Sequence, residues 1–316
     1  MRHFPTGAVI AILLFATASP AHAMSVNGCP IVANAVCVGV NLDGAALQGV
    51  DLSGADLTGA TLRVADLTGA NMRLVRLNSA DLTGAYLTGA TLAGAFLAGA
   101  TGDLAQFTRA DLTGADLHEV NLTSAIFNEA DLTGASLDNA LLPNADLRAA
   151  TLNGDSITGA DLTKANLTDA LLIGSDLSFT NLTGAVLWGS RLTGAQFDGA
   201  NLTDTNFFQA DLRRADLRGA DLTNANFSGA DMRGVRLSAN ALRNPQFGCD
   251  KSTTWSGPNR RKLERYCQRH GSDCPIILWP CPTAERPCGY LPGESTAQKL
   301  VMLAQCYPEY AGRPWT

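Results

Sequence analysis

Apolar residues recur at every fifth position along most of the chain. From Leu42 to Phe247 each of these positions holds Leu, Phe, Ile or Met, and Gly102 is the only exception. Two residues before each of them stands a small residue, usually Ala. A period of five matches neither the roughly 3.6 residues of a helix nor the two of a half-buried strand. A short fixed period is typical of a solenoid, in which each unit buries its apolar face against its neighbours.

The recurring motif is Ala-Asp-Leu-Thr-Gly, as in residues 110–114 and 130–134, or Ala-Asn-Leu-Thr-Asp, as in residues 165–169. In these motifs the chain resembles the pentapeptide-repeat family, whose pattern is A(D/N)LXX. The resemblance covers residues 40–248. It implies an all-β solenoid, a right-handed quadrilateral β-helix, in which the central Leu or Phe and the preceding small residue point inward.

The central aromatic residues test the four-sided arrangement. Four motifs make a coil of twenty residues, so side chains twenty positions apart should stack. All but one of the central Phe residues fall on one face under this period; Phe197 is the exception, and the others are Phe107, Phe127, Phe207, Phe227 and Phe247. Ten such coils at the ~4.8 Å spacing of bonded strands predict a rod roughly 50 Å long.

The polar motif positions are interpreted as structural. Thr and Gly stand where the chain turns, because Gly tolerates unusual φ and ψ and hydroxyl groups can bond the local backbone. Asp or Asn before the central Leu is expected to bond turn amides in the same way. Acid pairs for catalysis or metal binding are the alternative. The net charge of −6 favours solubility and does not indicate nucleic-acid binding.

Residues 1–23 are predicted to be a secretory signal peptide. Arg2 supplies the positive start, residues 7–16 a short apolar run, and Ala21-His22-Ala23 a small-x-small cleavage site. The segment is too short for a membrane span, although an uncleaved N-terminal anchor is the alternative. We therefore expect cleavage after Ala23, a periplasmic or secreted protein, and no transmembrane segment in the mature chain.

Eight cysteines follow the signal peptide, and an even number in an exported chain predicts disulfides. Residues 24–39 are interpreted as an N-terminal disulfide cap with Cys29 and Cys37, and a metal pair is the alternative. Residues 249–316 are interpreted as a small, disulfide-rich C-terminal domain with two short helices, at 259–270 and from 295 or 296 to 306. Its six cysteines, whose connectivity the sequence leaves open, are Cys249, Cys267, Cys274, Cys281, Cys288 and Cys306.

Departures from the motif mark further positions. Gly102 predicts a void or a bend, which Leu104 swings in to fill; a functional cleft is the alternative. Some inward Ala positions hold polar residues, which give the fourth quarter of the rod a more polar wall: Asp155, Ser175, Thr180, Ser190 and Thr205. The small hydroxyl groups among them are expected to bond the backbone.

The outer wall offers one candidate interaction patch. Trp188 and Phe208 occupy the same outward position one coil apart, which predicts an exposed, stacked aromatic pair. Arg213 and Arg233 form a second column, which is interpreted either as part of this patch or as partners of Asp211, Asp216, Asp221 and Asp231. The basic helix in residues 259–270 either contacts an anionic surface, such as phospholipid or a cell-wall polymer, or is simply solvated.

No catalytic motif stands out. After the signal peptide the chain has two histidines, His118 and His270, and no nucleophile elbow, phosphate loop or paired-carboxylate motif. We predict no enzyme activity, cofactor or metal. An enzyme hidden in the Cys-rich domain is a distant alternative.

The expected function is an exported, non-catalytic structural or binding scaffold, a monomer or weak dimer. Its predicted partner is an unknown protein or a cell-envelope component, and nucleic acid is not expected. The resemblance also implies an alternative, since some family members imitate B-form DNA and inhibit DNA gyrase, a topoisomerase. The signal peptide and the cysteines disfavour it.

Overall fold

The chain winds as a four-sided parallel coil. The structure, a computed structural model, describes residues 24–239, 241, 247–249, 253–256, 260–270, 279–280 and 287–288. Parallel bridges join residues twenty positions apart, from Val36 with Asp56 to Asp211 with Asp231. The predicted twenty-residue coil is thereby confirmed. The register begins at Val36, four residues before the boundary placed at Val40.

Most sides of the coil contribute one bridge residue each, so named strands are short. In the described part of the chain they are β1 (Ser25–Val26), β2 (Cys29–Pro30), β3 (Asp216–Leu217), β4 (Ala225–Asn226), β5 (Asp231–Met232), β6 (Arg236–Leu237), β7 (Phe247–Gly248), β8 (Thr254–Trp255), β9 (Trp279–Pro280) and β10 (Pro287–Cys288), with one helix, α1 (Arg260–His270). Strand β1 pairs with β2 and β9 with β10 in antiparallel fashion. The pairs β3–β6, β4–β7 and β5–β8 are parallel.

The backbone of each motif bonds to the coils on both sides, and its Asp side chain bonds the local turn. The amide N–H of Leu112 donates to the carbonyl O of Asp131 in the next coil (2.7 Å), and that of Asp111 donates to Ala90 in the previous one (3.0 Å). The Asp111 carboxylate accepts the amide N–H of Thr113 (3.0 Å) and its hydroxyl (2.7 Å). Asp is thus held in a local turn of the Asx type, which supports the structural interpretation of this motif position.

The core is a column of apolar side chains with stacked rings on one face. Phe107 and Phe127 lie with ring centroids 4.7 Å apart, and Phe207 and Phe227 with centroids 4.9 Å apart, both pairs nearly parallel. Phe197, on the opposite face of the coil, meets Phe207 edge-on at 6.2 Å. The predicted aromatic column is confirmed at these four residues, and the side chain of Phe247 lies outside the described part.

Gly102 leaves neither a cleft nor a gap for Leu104. A Cβ atom on Gly102 would lie 2.9 Å from Cδ2 of Leu122 and 3.7 Å from Cβ of Leu82, so the neighbouring core side chains already close the space. Leu104 is 62% exposed and has a left-handed φ of 61°. The expectation that Leu104 turns inward is wrong, because it stands at the outward corner position of its motif.

The corner before each new motif adopts a left-handed conformation. Gly199 has a φ of 65°, and a Cβ added there would lie 2.7 Å from the ring of Phe179, the corner residue one coil earlier. Gly114 has a φ of 62° with nothing within 4 Å of the same added atom. Gly199 therefore combines backbone strain with a close ring, and Gly114 has the strain alone.

We expect Gly199→Ala to destabilise the protein by about 1 kcal/mol more than Gly114→Ala, which itself costs about 1 kcal/mol for a Cβ in this conformation. Denaturant unfolding measures both. In a Phe179→Ala background the two substitutions should cost the same, because the ring is gone. An undiminished excess in that background would contradict this explanation.

A disulfide-linked hairpin covers the N-terminal end of the core. Strands β1 and β2 join through Asn27 and Gly28, with φ of 50° and 81°, the signature of a tight Asn-Gly turn. Cys29 bonds Cys37 within this segment. Met24 and Val26 pack against the end of the core. The predicted pairing of the first two cysteines is present in the structure.

The C-terminal end is closed by two more strands and a helix. The amide of Phe227 donates to the carbonyl O of Gly248 (2.8 Å), which continues the coil beyond the last regular motif. Cys249 bonds Cys267 of α1. Helix α1 matches the helix predicted at 259–270. Cys274, Cys281, Cys306 and the second predicted helix lie outside the described residues; Cys288 lies in β10, and its side chain is not described.

Candidate functional site

The aromatic pair is less exposed than the sequence predicts. Trp188 is only 7% exposed, and its ring meets that of Phe208 edge-on, with centroids 5.8 Å apart and planes at 70°. The indole N–H of Trp188 donates to Oε1 of Gln209 (3.2 Å). The prediction of an exposed, stacked pair is therefore wrong, because Trp188 is buried and the two rings pack edge-on within the outer wall. A binding role for Trp188 and Phe208 stays a prediction.

The arginine column is paired within its own motifs. Arg213 binds Asp211 through Nε (2.8 Å) and Nη2 (2.7 Å), and Arg233 binds Asp231 in the same bidentate way. These hydrogen bonds lower the pKa values of the two carboxyl groups. Exposed pairs of this kind contribute about 0–1 kcal/mol each. The Arg213 and Arg233 column is thus largely neutralised, as the pairing interpretation expects.

Of the two other acidic residues in this region, Asp216 is also paired with arginine, whereas Asp221 is not. Arg218 binds Asp216 in the same bidentate way, and Nη1 of Arg236 lies 3.2 Å from Asp216. Asp221 instead accepts the hydroxyl of Thr223 (2.6 Å). In these motifs Arg after the central residue forms an ion pair with the Asp before it, and Thr at the same position forms a turn hydrogen bond.

Charge is distributed unevenly along the rod. Residues 24–210 contain nineteen Asp and Glu against seven Lys and Arg, whereas residues 211–270 contain twelve Lys and Arg against six Asp and Glu. The shaft is therefore acidic, and its C-terminal end is basic. The predicted basic helix is only one part of this polarity, which a residue count along the chain reveals.

Hydroxyl groups inside the wall bond the backbone, as predicted. Ser175 donates to the carbonyl O of Leu152, and Thr180 to that of Leu177. Ser190 and Thr205 do the same, to Leu187 and Leu182. Each hydroxyl replaces an Ala methyl group without leaving a buried polar atom unpaired.

Asp155 is the exception among the inward polar residues. Its side chain is 2% exposed, and neither carboxylate oxygen has a hydrogen-bond partner. Burial raises the pKa of this carboxyl to about 8, and the backbone amides of Gly134 and Ala135, which donate to the carbonyl groups of Asn153 and Leu132, partly oppose the rise. Unlike the hydroxyl groups at the other inward positions, the Asp155 carboxyl is therefore buried without a partner.

His118 is part of a surface pair. Nδ1 of His118 lies 2.5 Å from Oδ1 of Asp116, and this contact raises the pKa of the imidazole above its ordinary value. Among the described residues no three His, Cys, Asp or Glu side chains are grouped as metal ligands. The helix that the structure describes is not long and apolar enough to cross a membrane.

Comparisons with known proteins point to one family. Eight copies of the family model described as pentapeptide repeats match residues 35–73, 80–118, 115–154, 156–189, 170–207 and 200–238. The structure of HetL, a pentapeptide repeat protein involved in heterocyst differentiation regulation from the cyanobacterium Nostoc sp. strain PCC 7120, is 36% identical, with a TM-score of 0.59 over 63% of this chain and 87% of that chain. No curated protein matches the chain.

Two other solved structures are more distant. Rfr23, a pentapeptide repeat protein from the cyanobacterium Cyanothece 51142, is 29% identical, with a TM-score of 0.33 over 35% of this chain and 88% of that chain. A trypsin-treated form of QnrB1, a plasmid-mediated fluoroquinolone resistance protein, is 21% identical, with a TM-score of 0.41 over 75% of this chain and 95% of that chain.

Proposed function

Because the chain belongs to the pentapeptide-repeat family, we propose that it is an exported, non-catalytic scaffold that binds a protein or a cell-envelope component. The observation that carries this proposal is the pair of disulfides at the two ends of the rod, Cys29–Cys37 and Cys249–Cys267. Disulfides persist in oxidising compartments and are rare in the cytosol. They agree with the signal peptide predicted in residues 1–23.

The scaffold half of the proposal rests on the wall of the rod. Its polar side chains are engaged with their own motif, as in the Asp111–Thr113 turn and the Arg213–Asp211 pair. A surface whose groups are satisfied locally is suited to presenting a fixed shape to a partner over a long face. We propose a monomer or weak dimer.

One observation favours a second candidate, a DNA-mimic inhibitor of a topoisomerase. The shaft carries nineteen acidic residues against seven basic ones in residues 24–210, and an acidic rod suits imitation of B-form DNA. The basic end and the disulfides weigh against this candidate, because its target is cytoplasmic.

The first experiment is intact-mass measurement of the chain expressed with its own leader, before and after alkylation of each cell fraction. We expect a periplasmic species that begins at Met24 and carries no alkylatable thiols. A full-length cytoplasmic species with free thiols would overturn export and make the topoisomerase candidate the leading one. Crosslinking in the same fraction then tests the scaffold: one reproducible partner is expected, and none at all would contradict it.

A further inference from the structure

The C-terminal end of the rod carries a group of exposed basic side chains. We call this surface the basic end; it consists of Arg214, Arg260, Arg261, Lys262 and Arg265, all exposed. Arg260 pairs with Glu264 (2.7 Å). Arg214, Arg261 and Arg265 form no ion pair with any residue that the structure describes, and Arg265 donates only to the carbonyl O of Arg261 (3.0 Å).

Helix α1 fixes part of the basic end in place. Leu263 and Cys267, one turn apart, are buried, and they belong to the same core cluster as Trp255 of β8. At about 100° per residue, Arg261 and Arg265 lie on the opposite side of the helix. The disulfide from Cys267 to Cys249 ties that turn to the last coil. The arginines therefore point away from the end of the rod, on a cross-linked element.

The rest of the rod determines which partner suits this end. The shaft has an excess of acidic residues, whereas residues 211–270 have twelve basic residues against six acidic ones. A broad anionic surface attracts the basic end and repels the shaft, so it orients the whole rod. A small anion or a second acidic rod offers no such extended plane.

We infer that the basic end docks the rod end-on to anionic phospholipid at a membrane surface. Membrane docking names the class of envelope partner that the proposed function leaves open. It rests on the proposed function only for the exported location of the chain. The exposed side of α1 in residues 260–265 is basic, with no apolar side chain for insertion. Docking is therefore electrostatic and reversible, weakening by about fivefold for each basic residue removed, and it is lost at high salt.

The test is co-sedimentation of the full disulfide-bonded chain with vesicles of phosphatidylglycerol and phosphatidylcholine, or of phosphatidylcholine alone. We expect binding to the mixed vesicles only, and release at high salt. Arg261→Glu with Arg265→Glu should weaken binding by about 20-fold or more. The matched control, Arg73→Glu with Arg76→Glu, makes the same charge change on the exposed shaft, and it should leave binding within about threefold of the unaltered chain.

Three outcomes would overturn the docking surface: equal binding to the neutral vesicles, equal weakening by the shaft control, or binding of soluble polyglutamate but not of vesicles. Should the helix variant fail to fold, Arg214→Glu on the solenoid replaces it, with about fivefold weakening expected and none contradicting the proposal. The two proposals can fail separately. A periplasmic, disulfide-bonded chain that does not bind anionic vesicles would contradict membrane docking and would still support export.

Discussion

Replacing Asp155 with Ala is expected to stabilise the protein, and more strongly at pH 9 than at pH 5. The side chain is buried at an inward position where neighbouring coils carry Ala135 and Ser175, and its carboxyl has no hydrogen-bond partner. A buried polar group without a partner costs about 1–3 kcal/mol even when neutral. Ala restores the usual small residue of the motif and removes that cost.

The pH dependence follows from the pKa of Asp155, which burial raises from 3.8 to about 8. Between these values the folded chain holds a proton that the unfolded chain has released, so the free energy of unfolding falls as pH rises through this window. Above pH 8 the folded state contains a buried charge. The gain from Asp155→Ala should therefore grow from pH 4 to pH 8 and then level off, with an upper bound of about 6 kcal/mol on its pH-dependent part.

Urea unfolding at a series of pH values measures this gain. Ser175→Ala is the matched control, since it alters the next coil at the same inward position and its hydroxyl does not titrate there. The control should cost about 1 kcal/mol at every pH. A constant effect of Asp155→Ala across the series would show that this carboxyl does not titrate within the window.

Replacing Phe207 with Ala is expected to cause the largest loss of stability in the rod, about 3–5 kcal/mol. Its ring is fully buried, stacks on Phe227 at 4.9 Å and meets Phe197 edge-on at 6.2 Å. Removing it leaves a cavity on the axis, and in a solenoid each coil is supported chiefly by its two neighbours. Thermal and denaturant unfolding both report the change.

Phe179→Ala is the control for Phe207→Ala, because Phe179 has the same side chain but is 64% exposed at a corner. Its loss should change the free energy of unfolding by no more than about 0.5 kcal/mol. Comparable losses for the two variants would mean that stacking along the axis does not hold the coils together.

The fold was predictable because its signal is repeated. Each central Leu or Phe and each small residue before it contributes the same evidence for a twenty-residue coil, so single departures such as Gly102 do not obscure it. The N-terminal hairpin was predictable only in outline: the sequence marks Cys29 and Cys37 as partners, while the Asn27–Gly28 turn emerges from backbone geometry.

The surface was harder to predict because burial depends on neighbouring coils. Trp188 stands at an outward motif position, yet Phe208 and Gln209 in the next coil enclose it. Arg213 stands at the same position as Thr in other motifs, and the choice between an ion pair and a free basic ledge depends on its distance from Asp211.

The sequence by itself determined the period, the inward and outward residues and the basic character of residues 211–270, because these properties follow from residue type and order. The tertiary structure alone decided which polar groups find partners. Ser175 donates its hydroxyl to a carbonyl oxygen, while neither carboxyl oxygen of Asp155, at the same motif position one coil earlier, has a hydrogen-bond partner. Hydrogen-bond satisfaction is a property of exact distances between coils, which residue order does not contain.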